Sequence, residues 1–392
     1  MDQTTFNVNA NQNTNIFTSQ LDYGLDINEK SAFSTGVKFS NVKTESGILQ
    51  NDIIAGEEVL NEESTNMFEY DEDVYAAFVD YNFNSEKFTF NVGLRAEQTN
   101  ITGISSTNET NKQDYLEFFP TANLSFQVSE KVTSYINYKR SIERPNYDYL
   151  NPFVYYLNDN TIVTGNPALK PIFTNKYLIG TTINSRFTLE VFYRKSDNSF
   201  FELPIQDNLE NVIVYTPLNI DSTEEIGIDF EAYLSITDKW NLYFGSSTYN
   251  YKDKGTFSGN KIELDKWANY SILSNDLSFL KDNSLTASIS IVYMGENVQG
   301  LQTVHERWDT YFTMAKTILN NKGSISVSVS DFFNRQDYAR TVRFLDQSSR
   351  ISNDLDTRYF SLGFRYKFGN TKLSSNERST SKEELDRLKK EH

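Results

Sequence analysis

Apolar and polar residues alternate one for one through much of this chain, most clearly over residues 74–97. The first half of that stretch puts Tyr75, Ala77, Val79, Tyr81 and Phe83 on one face, and Val74, Ala76, Phe78, Asp80 and Asn82 on the other. The second half puts Phe88, Phe90, Val92, Leu94 and Ala96 opposite Thr89, Asn91, Gly93, Arg95 and Glu97. Side chains of an extended chain point alternately to its two sides, so a period of two predicts a pair of strands. The short polar run 84–87 makes the turn between them. One face of this hairpin is uncharged and ends in Phe83 and Phe88 beside the turn, whereas the other carries Asp80, Arg95 and Glu97. A soluble antiparallel sheet with one wetted face has this pattern. A membrane barrel has it too, with lipid outside and a wet lumen inside.

Repetition separates the two. Residues 5–10 read as the stub of a strand and 17–27 as a full strand, which turns near 28–30 into one holding Phe33, Val37 and Phe39. Polar connections are predicted over 41–66 and 98–114. Residues 118–128 turn at 129–131 into a strand with Ile136 and Tyr138, and a long loop, 143–171, carries prolines at 145, 152, 167 and 171. Residues 176–183 turn at 184–186 into 187–194, and a further loop runs from 196 to 223. Residues 226–236 turn at 237–239 into Trp240, Leu242 and Phe244. A poorly alternating segment, 267–279, turns at 281–283 into 285–293; the turn 320–323 precedes Ile325, Val327 and Val329; and 359–368 forms the last strand. Short turns thus alternate with long connections, the layout of an outer-membrane barrel with tight periplasmic turns and long extracellular loops. Aromatics at the short-turn end (Phe83, Phe88, Phe126, Phe187, Trp240 and Phe368) read as its periplasmic girdle. The fold class predicted is all-β, an antiparallel transmembrane β-barrel over residues 1–368. Roughly fifteen full strands are expected, with residues 5–10 too short for the roughly 9–11 residues of a sixteenth. Single-chain bacterial barrels have even strand numbers, so the expectation is that Met1 falls inside a strand of a larger barrel.

Composition agrees with a one-faced sheet. Of 392 residues 38% are hydrophobic, yet aromatics reach 14%. No apolar run is long enough for a membrane helix. A closed barrel is the other way to satisfy backbone groups in lipid. The net charge of −16 disfavours nucleic acid as a partner, since phosphate contacts need a basic face. There is no cysteine and there are two histidines, His305 and His392, so no cofactor and no zinc or haem site is predicted. The first dozen residues lack the basic and apolar regions of a signal peptide, so either a fragment or a true start upstream is expected. In the tail 369–392, Ser381 and Glu384 frame a capping box ahead of Leu385 and Leu388; a short polar helix or disorder in the periplasm is expected.

No catalytic constellation appears, and the chain is not expected to be an enzyme. Asp229 with Glu231, or Glu224 with Glu225, suggests acid–base work only where a pocket brings them together. On a strand such pairs keep a lumen wet. Arg95, Glu97, Glu190 and Arg194 fall on the predicted inner face, where they contact a plug, a solute or one another. The loop 143–171 offers the better ligand site, through Tyr147, Tyr149, Asn151, Tyr155, Tyr156 and Asp159. Aromatic plates beside amides suit glycans, peptides or planar chelates, since rings give rigid contact area at low entropy cost. The competing reading is that these aromatics and the prolines only fold the loop over the barrel mouth.

Several short motifs carry a family resemblance: Gln20 to Tyr23 (QLDY), Val92 to Glu97 (VGLRAE), Phe118 to Ala122 (FFPTA), Arg144-Pro145, Leu150 to Phe153 (LNPF), Gly165 to Pro171 (GNPALKP), Ser330 to Asn334 (SDFFN) and Gly363 to Gly369 (GFRYKFG). In this order the chain resembles the C-terminal barrel of TonB-dependent outer-membrane receptors, in the outer-membrane β-barrel group common beside carboxypeptidase-regulatory-like N-terminal domains. The resemblance implies a Gram-negative outer membrane and active import of a scarce solute (an iron chelate, oligosaccharide or peptide). It also implies a barrel of about 22 strands. The partners it implies are outer-membrane lipid, a plug domain and the TonB system through the N-terminal part, a surface lipoprotein, and the barrel-assembly machinery through the strand ending at Phe368. No stretch of this chain supplies a plug, so the resemblance covers the barrel's later part. The alternative reading is a non-transporting barrel acting as a surface-binding or secretion-associated scaffold, or a truncated gene product.

Overall fold

The computed structural model describes residues 5–62, 64–105, 110–257, 259–368 and 381–388. The chain begins with β1 (Phe6–Asn28), β2 (Ser31–Ile54), a short β3 (Glu57–Leu60), β4 (Asn66–Asn84), β5 (Phe88–Ser105), β6 (Thr110–Ser129) and β7 (Val132–Glu143). The one-turn helix α1 (Tyr147–Leu150), β8 (Val154–Asn158) and β9 (Thr161–Thr164) precede β10 (Ile172–Ile183) and β11 (Phe187–Asp197). The hairpin β12 (Phe200–Asp207) and β13 (Val212–Asn219) leads to β14 (Ser222–Thr237), β15 (Trp240–Phe257), β16 (Asn260–Phe279) and β17 (Leu285–Met294). Next come β18 (Asn297–Gln299), β19 (Gln302–Val304), β20 (Arg307–Ile318) and β21 (Gly323–Ser330). The last elements are β22 (Tyr338–Phe344), β23 (Gln347–Asn353), β24 (Phe360–Tyr366) and α2 (Lys382–Asp386).

Fifteen of these strands form one antiparallel wall in the order β1-β2-β4-β5-β6-β7-β10-β11-β14-β15-β16-β17-β20-β21-β24, with β3 attached to β2. Neighbours in the wall are neighbours in sequence apart from the inserted elements, as period-two hairpins require. The ladder carries the two faces across the strands, with register shifts beside the turns at Asp26/Asn28, Gln127/Ser129 and Ser235/Thr237. Phe83, Phe90, Leu124, Ile136, Ile179, Val191 and Ile228 stand side by side on seven consecutive wall strands. One residue along, Asn82, Asn91, Asn123 and Asn137 form the row on the opposite face. There Asn91 Nδ2 donates to Asn82 Oδ1 at 2.8 Å and to Asp80 Oδ1 at 2.7 Å. The apolar row is left uncovered, with Ile179 62% and Ile136 51% exposed. An open apolar band of this extent marks a membrane surface.

The inserted elements all lie at one end of the wall, where they build two further sheets. One is β12-β13-β9-β8, in which β13 pairs with β9 in parallel; the other is β18-β19-β22-β23. The two meet through side chains: Gln206 N–H donates to Gln347 Oε1 at 2.6 Å, and Gln302 Nε2 donates to the Glu202 carbonyl at 3.1 Å. The core lies beneath them, against the inner face of the wall. Val42, Ile48, Phe68 and Tyr70 of β2 and β4 pack there against Tyr147, Leu150, Phe153 and Leu169.

Several boundaries differ from the sequence reading. Residues 5–10 are no separate strand: β1 runs unbroken from Phe6 and pairs residue for residue with β2 from Asp52. The polar segments 41–66 and 98–114 are largely strand, since β2 continues to Ile54, β5 to Ser105 and β6 starts at Thr110. Strand β16 begins at Asn260 rather than at Trp267, and the loops 143–171 and 196–223 hold strands of their own. The common cause is physical. Beyond the apolar band a strand has no lipid to face, so nothing forces an apolar residue at every second position.

In the tail, α2 starts after Ser381, but the Ser381 side chain makes no cap bond, so the capping box does not form. The helix packs on the inner face of the wall, where Lys38 Nζ lies 2.8 Å from Glu384 and Ser381 Oγ lies 2.8 Å from Thr18 Oγ1. Thr18 lies near the middle of β1, and Lys38 about a third of the way along β2 from the short turn that joins them. Residues 369–380 and 389–392 of the tail lie outside the described residues.

Candidate ligand-binding vestibule

The connection 143–171 turns inward because its apolar residues have a surface to cover. Tyr147, Leu150, Phe153 and Leu169 are each 4% exposed or less, seated on the inner wall. The fold of the connection depends on a close approach at Gly165. Its N–H donates to the Asn151 carbonyl at 3.0 Å, and a Cβ there would lie 2.3 Å from that same oxygen. Asn166 N–H donates to the Tyr149 carbonyl at 2.6 Å, while Asn166 Nδ2 reaches the Pro217 carbonyl at 3.1 Å and ties the connection to β13.

Between this connection, the loop sheets and the wall lies a cavity of about 610 Å³. Arg144, Tyr149, Phe200, Glu202, Arg340 and Arg387 are among its lining residues. Tyr149 and Phe200 meet edge to face, with centroids 6.1 Å apart. Burial pushes the Glu202 carboxyl up from its ordinary pKa, more than the neighbouring Arg340 pulls it down. A second cavity, of about 210 Å³, touches Tyr149, Asn151, Tyr155 and Glu202.

Below them sits a cluster of buried charges. Arg144 Nη2 donates to Glu97 Oε2 at 2.7 Å and to Thr99 Oγ1 at 3.2 Å, and Arg95 pairs with the same carboxylate. Glu72, 2% exposed, accepts from Tyr70 Oη at 2.6 Å and from both terminal nitrogens of Arg387 at 2.6 and 3.2 Å. Buried charges persist only when paired and hydrogen-bonded, and both carboxylates here meet that condition.

The residues singled out from the sequence divide accordingly. Tyr149, Asn151 and Tyr155 come together at the smaller cavity. Tyr147 is part of the core, its phenol pushed well up by burial. Tyr156 is 60% exposed and Asp159 lies in the exposed turn between β8 and β9; neither lines these cavities. Arg95 and Glu97 join the buried cluster. Glu190 accepts from Tyr135 Oη at 2.5 Å and Arg194 pairs with Glu225 at 3.0 Å, both along the wall. Asp229 lies opposite Glu190 in the ladder, while Glu224 pairs with Lys254 at 2.9 Å. The sequence reading missed Glu72, Phe200, Glu202 and Arg340, and quoted Arg144 only as part of a motif. Glu72 carried one signal: it is an acidic residue on a face whose neighbours Tyr70 and Val74 are apolar. Among the described residues no three His, Cys, Asp or Glu side chains converge on a metal site.

The profile of the outer membrane protein beta-barrel family matches residues 1–366. No curated protein matches the chain by sequence. Solved structures do resemble it in fold. The ferric yersiniabactin uptake receptor FyuA from Yersinia pestis is 14% identical, with a TM-score of 0.62 over 93% of this chain and 56% of its own. The siderophore receptor PiuA from Acinetobacter baumannii is 15% identical, with a TM-score of 0.62 over 92% of this chain and 56% of its own. The copper transporter OprC is 12% identical, with a TM-score of 0.66 over 92% of this chain and 57% of its own. The chain thus spans little more than half the length of these relatives. With the profile match running nearly end to end over an antiparallel wall that bears a bare apolar band, the chain belongs to the outer membrane protein beta-barrel family and resides in the outer membrane of a Gram-negative cell.

Proposed function

We propose that this chain is the later part of the barrel of a TonB-dependent receptor that imports a scarce solute, with a metal chelate as the leading class. One observation carries the reading: the cavity of about 610 Å³ over a polar inner wall, roofed by ordered loop sheets and lined by Tyr149, Phe200, Arg144 and Arg340. Its volume falls in the range of small-molecule sites, roughly 300–1,000 Å³. The Tyr149 and Phe200 rings beside the Arg340 guanidinium suit a flat ligand that carries a carboxylate, because guanidinium forms charge-assisted, paired hydrogen bonds with carboxylates. The named relatives FyuA, PiuA and OprC are an uptake receptor, a siderophore receptor and a copper transporter, which favours a chelate over an oligosaccharide or peptide. A plug domain and TonB would supply the gate and the energy, and the barrel-assembly machinery would insert the wall.

The test is uptake in whole cells carrying the full gene, offered labelled ferric chelates, oligosaccharides and peptides in parallel. Chelate uptake should require the proton-motive force and should drop about tenfold or more with Tyr149→Ala and Phe200→Ala together, since aromatic anchors carry much of a site's affinity. Uptake of an oligosaccharide or peptide alone would replace the substrate class. A barrel at normal surface levels that imports none of the three would overturn the transport reading.

A further inference from the structure

We propose that the short-turn rim of the wall is a docking surface for phospholipid head groups of the phosphoethanolamine type. One cation per hairpin holds a phosphate, and a neighbouring acid holds the ammonium. This goes beyond the transport reading and does not depend on it.

Among the described residues each short turn of the wall but one ends on a cation: Lys30, Lys87, Lys131, Arg186, Lys239 and Lys322. They stand at one height. The carbonyl of each accepts from the descending strand of the next hairpin, through the N–H groups of Asn84, Gln127, Asn184, Tyr233, Ser278 and Lys367 at 2.7–2.8 Å. In the exception Ser284 holds the same place, accepting from the Thr317 N–H at 2.7 Å, and Lys316 of β20 donates to its hydroxyl. Lysine and arginine are 37 of 392 residues in a chain of net charge −16, so their recurrence at one register is not a matter of composition. Nor does the turn itself require them. Asn28, Ser129 and Thr237 close their turns by accepting from the backbone N–H of the lysine two residues on, which any residue but proline supplies.

All six cations are exposed, and among the described residues none of them makes an ion pair. Phe88, Phe187 and Trp240 of the aromatic girdle follow directly after Lys87, Arg186 and Lys239, which sets these cations at the level of the lipid phosphates. A lysine or arginine stem lies along the apolar edge while its charge reaches the phosphate. In four turns an acid directly precedes the lysine, at Glu29, Glu86, Glu130 and Asp238, all exposed. Adjacent Cα atoms are about 3.8 Å apart. A phosphate and an ammonium joined by two carbons span such a pair. A glycerol head group leaves the acid unmatched, and a trimethylammonium has no N–H to give it.

Lipid retention tests this. The full-length protein is reconstituted in vesicles of equal parts phosphatidylethanolamine, phosphatidylglycerol and phosphatidylcholine with the same acyl chains. It is then re-extracted in mild detergent, and its retained lipid is counted by native mass spectrometry. Phosphatidylethanolamine should exceed each of the others about threefold or more, the scale of several exposed charge pairs acting together. Neutralising the acids (Glu29→Gln, Glu86→Gln, Glu130→Gln and Asp238→Asn) should move the preference to phosphatidylglycerol, and replacing the six cations by glutamine should remove it. Heat-modifiable gel mobility follows assembly of each variant, and the comparison of the three lipids on the unaltered protein decides the question even where a variant fails to assemble. Equal retention of the three lipids, or a pattern that the acid and cation variants leave unchanged, overturns the proposal. A cation variant that keeps its lipids but exposes its plug to protease would assign the cations to the plug instead.

Discussion

At the scale of single residues, the two faces of the wall carry different penalties for the same change. Val92 lies on the apolar face beside Tyr81 and Ala122, whereas Asn91 lies in the asparagine row. Val92→Arg should impair assembly by about 2–4 kcal/mol, the cost of a lipid-facing arginine near the midplane, while Asn91→Arg should be tolerated. Surface yield of the two variants in the full-length protein measures this, and equal yields would contradict the register. Gly165 is a second such position. The methyl of Gly165→Ala would press on the Asn151 and Tyr149 carbonyls, at 2.3 and 2.7 Å. Overpacking of this kind costs about 1–3 kcal/mol, so the connection 143–171 should become protease-sensitive while the wall stays intact. The facing of Val92 and Asn91 was legible in the sequence because lipid imposes strict alternation. The pairing of Glu72 with Arg387 was not, since 315 positions separate the partners and neither has a local pattern.

At the scale of elements, the wall strand β20 was given no bounds, whereas the hairpins β4–β5, β10–β11 and β14–β15 were legible because one face meets lipid. They were cut short wherever the strands continue past it, as in β1 through Asn7, Asn9 and Asn11. The loop sheets escaped because their alternation is brief and their partners are distant: β13 pairs with β9 across about fifty residues. The junction of the two loop sheets should be sensitive to single side chains. Gln347 both accepts from the Gln206 N–H and donates to the Gln206 carbonyl at 3.0 Å. Gln347→Ala should loosen the junction by about 1–3 kcal/mol, seen as faster amide exchange in β12 and β23. Acidity should act on the same roof through Glu202. Its folded pKa is raised, so the packed state holds the proton more tightly than an open one. Packing is then strongest below the ordinary glutamate range and weakens as pH rises through the raised value. Limited proteolysis of the loops from about pH 4 to about pH 8 should show protection falling with pH, and Glu202→Gln should flatten the trend.

At the scale of the whole molecule, all the inserted elements gather at one end, which fixes an orientation. A tag beside Asp159 should be labelled on intact cells, and a tag at the turn after Asn84 only after permeabilisation; the opposite pattern would invert the barrel. The wall also has two edges, β1 and β24, each with one neighbour among the described residues. Unpaired backbone in hydrocarbon is costly, so residues 1–392 behind a grafted signal sequence should be degraded rather than inserted. A protease-resistant, heat-modifiable barrel from that gene would show that the edges close on each other. The heights of the strands differ greatly: β2 has 24 residues and β24 has 7. At a rise of about 3.3 Å per residue and a tilt of about 40°, β2 stands about 60 Å along the membrane normal, against a lipid band of about 25 Å. One flank of this protein therefore rises well clear of the lipid as hydrogen-bonded sheet instead of loop. To an antibody or a phage that flank is a shaped wall, recognised only while its strands stay paired, and such reagents should lose their target when the barrel is boiled.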